Sequence, residues 1–195
     1  MLNLESDLQV VESMAADLKL YLLSKTLYWP VRARIGMRRP LTLGTIGGML
    51  LRAHQLDALR ADLSGQQAAR LDHAVGLAHA HLDKWVVQAE QKAVREVRAR
   101  LRQWALYVDE VEDAPARYLG EYPMQARSRS TLTFARQVAA HALDGSSLIT
   151  RLIVADRKMR KLVDEAPFVL DDRLEPAYPP KPYWWLYVLP TLPDD

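Results

Sequence analysis

From Ser64 to Ala114 the chain contains no proline, and apolar residues return every three or four positions through most of that stretch: Leu71, Val75, Ala78, Leu82, Trp85, Ala89, Ala93, Val97, Leu101, Trp104, Val108 and Val111. That recurrence is the signature of one apolar face on an α-helix. Ser64 and Gln67 stand at the spacing of a capping box, in which each side chain satisfies the other residue's backbone N–H. The pattern predicts one helix of about 48 residues, about 70 Å long. From Ala89 to Leu101 every step is four residues, which relaxes a left-handed supercoil and favours a nearly straight rod. A stripe of that length has to be covered by partners of similar reach, so the chain is expected to be all-α: an elongated four- to five-helix bundle with one very long central helix.

The flanking segments supply the partners. Residues 3 to 26 carry Leu4, Leu8, Val11, Ala15, Leu18 and Leu22 on one face, and a shorter, glycine-rich helix is expected from Thr45 to about Asp62. Residues 123 to 165 repeat the helical pattern around Asp144 and Gly145, as one kinked helix or as two, and stop before Pro167. Two regions resist a helical reading. One is the loop of residues 27–43, LYWPVRARIGMRRPLTL; the other is the tail of residues 167–195, rich in proline and aromatic side chains. The organisation expected is a single helical-bundle domain, with residues 1–166 as its helical core and the tail packed on the bundle.

Composition narrows the function classes. The 195 residues are 49% hydrophobic and 26% charged, within the range of chains that bury a full core. With no cysteine, disulfides, thiolate metal sites and cysteine nucleophiles are excluded, and a cytoplasmic location is expected. Glu5, Asp7, Glu12 and Asp17 give the N-terminus neither the basic start nor the apolar centre of a signal peptide. No apolar run approaches the roughly 20 residues of a membrane span. Gly44 and Gly48 form a GxxxG spacing, read here as close helix packing in water.

Catalytic and cofactor motifs are missing. A di-iron bundle needs Glu-x-x-His on two helices, and the sequence has none. His79 and Asp83, four apart, make half a metal site that would need His54 or His141 to complete it; histidines at a core edge are the plainer reading. No nucleophile elbow, Walker loop or dinucleotide fingerprint occurs, and GTIGG lacks the lysine of a phosphate loop. No enzyme activity, cofactor or metal is therefore expected.

Two clusters remain. Arg32, Arg34, Arg38 and Arg39 share the first loop, with no acid between Lys25 and Asp57, while Arg95, Arg98 and Arg102 lie at i, i+3 and i+7 on the central helix. Converging, they would make a surface for nucleic acid or another polyanion. Against this, Glu96 with Arg100, and Asp109, Glu110, Glu112 and Asp113 with basic neighbours, can act as ordinary surface pairs. The tail offers Tyr178, Tyr183, Trp184, Trp185 and Tyr187, expected to fold back along the groove that the short second helix leaves open. The function expected is a non-catalytic interaction or scaffolding protein, acting on a protein partner or by self-association such as a homodimer, and not on a membrane. Polyanion binding through the seven arginines is the alternative, followed by small-molecule or metal binding.

Overall fold

The computed structural model describes residues 3–31 and 42–192. The chain runs α1 (Leu4–Leu23), β1 (Trp29–Val31), β2 (Thr42–Gly44), α2 (Ile46–Ala58), α3 (Gly65–Lys84), α4 (Val86–Asp113), the single turn α5 (Pro115–Tyr118), α6 (Tyr122–Val138) and α7 (Ser147–Met159). After α7 come β3 (Val163–Glu165), two 3-10 turns (Asp172–Ala177 and Trp184–Leu186) and β4 (Val188–Pro190). The fold is an all-α bundle carrying two small antiparallel ribbons, β1 with β2 and β3 with β4. No helix among the described residues is long and apolar enough to cross a membrane.

The helix starts follow the side-chain chemistry. Asn3 accepts from the Ser6 amide at 2.9 Å to begin α1, and Ser64 and Gln67 complete both halves of their capping box at α3. Pro123 sits in the first turn of α6, where its missing N–H costs nothing. Residues 123–165 resolve into two helices, because Gly145 takes φ +64° in the turn between α6 and α7. Ser146, and not Asp144, is the residue that precedes α7.

The expected single rod from Ser64 onward is two helices. Trp85 leaves helical geometry (φ −118°, ψ 44°), although Trp85 N still donates to His81 O at 3.0 Å and Ala89 N to Trp85 O at 2.9 Å. Neither proline nor glycine stands at the break, so the cause is tertiary: α3 pairs with α1, whereas α4 packs against α6 and α7. One straight helix does not serve both sets of neighbours.

α4 is the hub. Ala93, Val97, Leu101, Trp104 and Val108 are all buried along it. On the same helix Lys92, 3% exposed, donates to Ser24 O at 2.8 Å and to Thr26 O at 2.5 Å, closing the C-terminal end of α1. Four residues on, Glu96 is 1% exposed and accepts from Gly47 N at 2.9 Å and from the Thr45 hydroxyl, at the N-terminal end of α2. Each charge is thus held against the helix end of opposite polarity.

Glycine allows α2 to reach this position. A Cβ at Gly47 would stand 2.5 Å from Thr131 O and 2.9 Å from the Ala135 Cβ of α6. The close approach therefore belongs to Gly47; Gly44 lies in β2, so Gly44 and Gly48 do not form a helix-packing pair.

In a free helix, Gly47→Ala would stabilise by up to about 1 kcal/mol. Here the clash with a backbone carbonyl dominates, and a net loss of about 1–3 kcal/mol is expected in the midpoint of urea unfolding. A second expectation concerns acid. Glu5 accepts from Arg70 at 3.0 Å and from Gln67 at 2.9 Å, which holds its carboxyl well below the usual range, at about 2. Its folded pKa lies below the unfolded value of about 4.3. The stabilisation is therefore complete above that unfolded value and fades as pH falls through about 2. Because the Glu5 side chain is 42% exposed, screening leaves it at about 0.5 kcal/mol. Glu5→Gln should lower the melting temperature slightly at neutral pH, and the difference should vanish near the acid end of the range.

Candidate functional site

The apolar stripe of α4 is fully covered, but that of α3 is not. Val75, Leu82 and Trp85 stay half-buried because α2, only 13 residues long, does not reach along them. A cleft of about 520 Å³ opens there, walled by Val11 of α1, Leu50 and Ala53 of α2, Val75 and Leu82 of α3, and Phe134 and Val138 of α6. None of residues 167–192 lines it. The tail does meet α2, through Ala177 and Tyr178 against His54, but not along this hollow, so the cleft remains open.

Polar groups stand at the rim. Arg60 binds Asp57 at 2.9 Å through Nε and Asp72 through both terminal nitrogens, and the guanidinium holds the Asp72 carboxyl below its ordinary pKa. Two carboxylates thus share one cation. His54 sits between the rings of Phe134 and Tyr178, each 5.2 Å away, with Nε2 3.3 Å from Ala177 O. A carbonyl only accepts, so Nε2 is the donor in this contact. His79 and Gln137 also line the cleft.

The two histidines singled out from sequence, His54 and His79, therefore share the cleft, on α2 and α3, while His141 lies in the turn after α6. Among the described residues, no three His, Asp or Glu side chains converge as a metal site would require.

The arginines divide. Arg32, Arg34, Arg38 and Arg39 lie outside the described residues. Arg95, Arg98 and Arg102 are exposed along one side of α4, and none forms an ion pair among the described residues. Glu96 and Arg100 do pair, at 2.8 Å, but not as the surface pair their spacing suggested: Glu96 is buried at the start of α2. Asp109 and Glu112 both meet Lys158 of α7 at 2.6 Å.

The tail lies on α2 and α6. Tyr178 and Trp185 are buried; Tyr183, Trp184 and Tyr187 are half-buried, joined ring to ring. Trp185 donates from Nε1 to Ser130 Oγ at 3.0 Å, and its carbonyl accepts from Tyr122 at 2.8 Å. Above its ring, 4.0 Å away, is the guanidinium of Arg129. Arg129 in turn grips Asp156 of α7 with two bonds, 3.0 and 2.7 Å, and Asp156 also accepts from Trp104 at 2.9 Å. By residue type Arg129 would be expected at the surface. Its position three residues after Ala126 and three before Leu132, both buried, was the available signal that it faces inward.

Comparison with family models, with curated proteins and with solved structures returns no match to this chain.

The Arg129–Asp156 pair carries a stability prediction. Arg129 is 5% exposed, so Asp156→Ala leaves a buried cation unpaired and should cost about 3–5 kcal/mol by urea unfolding. The double variant Arg129→Met with Asp156→Leu should recover much of that loss, because the unpaired charge is gone.

Proposed function

We propose that the protein is a non-catalytic binding module whose cleft among α1, α2, α3 and α6 takes up a small apolar molecule ending in a hydrogen-bond donor or a cationic group. The observation that carries this reading is the hollow itself. Its volume of about 520 Å³ lies in the range of ligand pockets, and its walls are mostly aliphatic, with polar side chains contributed from α2, α3 and α6 among them. At the rim two carboxylates face one guanidinium, which favours a donor head over an anionic one.

Binding without chemistry is favoured by how the titratable groups are already engaged. Arg60 holds Asp57 and Asp72, and Ala177 holds His54, so these groups are fixed as recognition elements and not left free to move protons. The absence of cysteine suits a reducing compartment, and the proposal places the module in the cytoplasm.

The test is a fluorescence titration with N-phenyl-1-naphthylamine, a neutral apolar probe. Saturable binding is expected, displaced by dodecylamine more readily than by dodecanoate. Ala53→Trp fills the cleft from its half-buried wall and should weaken the probe about tenfold or more, equivalent to about 1.4 kcal/mol. Equal affinity in the variant, or no saturable binding at all, would overturn the reading.

A further inference from the structure

The outer side of α4 has an order that the cleft does not explain. Arg95, Arg98, Arg102, Leu106, Asp109 and Asp113 are all exposed. At 100° per residue they fall within an arc of about 80°, on the side away from the buried Ala93, Val97 and Trp104. Read along the helix, that face is basic, then apolar, then acidic. Leu106 is 58% exposed at its centre; Val154 of α7, 57% exposed, flanks it across the shallow groove that α4 and α7 form around Ala105. Arg151 lines the same groove with Leu101, and Lys158 joins Asp109 and Glu112 further along.

We infer that this face is self-complementary and binds a second copy of the chain, with the two α4 helices antiparallel about a two-fold axis near residue 104. Across such an axis, positions whose numbers sum to about 208 face each other. Arg95 then meets Asp113 of the other copy, Arg98 meets Asp109, and Arg102 lies beside Leu106, so both basic ends face acidic ends while Leu106 and Val154 close the centre. A polyanion would have to lie along the same face and pass Asp109 and Asp113, where phosphates are repelled; the second copy uses both halves. The Arg95, Arg98, Arg102 row is accounted for as half of an interface.

The patch is about 27 Å long and about two helices wide, or about 1,000 Å² over both copies, near the lower end of interfaces that persist in solution. A reversible dimer with Kd of tens of micromolar is expected.

Sedimentation equilibrium of the full chain, from about 5 to 500 μM, reads the inference directly; the upper limit exceeds the expected Kd roughly tenfold. Wild type should move from monomer to twice the monomer mass. Arg95→Glu and Asp113→Arg, each alone, should weaken the dimer about fivefold or more, and the two together in one chain should restore it, since each reversed charge again meets its opposite. Leu106→Arg should abolish the dimer. All three positions are at exposed sites, and unchanged circular dichroism checks that the fold is kept. A wild-type monomer throughout the range would overturn the inference. So would a dimer indifferent to these variants, a double variant no stronger than the singles, or a monomer whose row binds a 20-nucleotide single strand and loses it in Arg95→Glu. The cleft titration is independent of all of these outcomes.

Discussion

Two buried charges on one helix organise this bundle. Lys92 and Glu96 stand one turn apart on α4; the first satisfies carbonyls at the end of α1, the second satisfies donors at the beginning of α2. Helix ends leave backbone groups without partners, and an end brought into the interior must have them satisfied from elsewhere. By supplying both, α4 lets α1 and α2 terminate against its side. That position in turn requires Gly47, which admits α2 against the backbone of α6. Burial and the neighbouring Arg95 lower the Lys92 pKa, while three oxygens surround its ammonium.

A second polar centre joins the far elements. Arg129 of α6 links Asp156 of α7 below and the Trp185 ring of the tail above, and Trp104 of α4 binds the same carboxylate. Four segments distant in sequence meet through one guanidinium. Desolvating an ion pair is expensive, so its contribution here is one of position more than of net stability: it ties α7 and the tail to α6. The tail's aromatic residues then complete the core around Phe168 and Tyr178.

With α4 enclosed on its inner side, two surfaces are left over. Along α3 the side beside α2 is incompletely covered, and the space left there is the cleft. Along the outer side of α4 the charge order and the exposed Leu106 become the proposed face for a second copy.

Much of this was legible in the residues themselves. Period-3.6 patterning identified the helical segments and the all-α class, because burying one face of each helix requires that spacing whatever the neighbours are. The capping box at Ser64 and the turn at Gly145 are local backbone chemistry and could be read directly. The break at Trp85 could not, since it has no local cause: it follows from α3 and α4 packing against different helices. The inward turn of Glu96 and Arg129 was hidden for a related reason. Residue type says that a charge prefers water, and only the arrangement of helix ends, Asp156 and Trp185 makes the interior acceptable. Periodicity thus determined which segments are helices, and tertiary packing decided where they bend, which charges they bury and which part of the apolar stripe stays open.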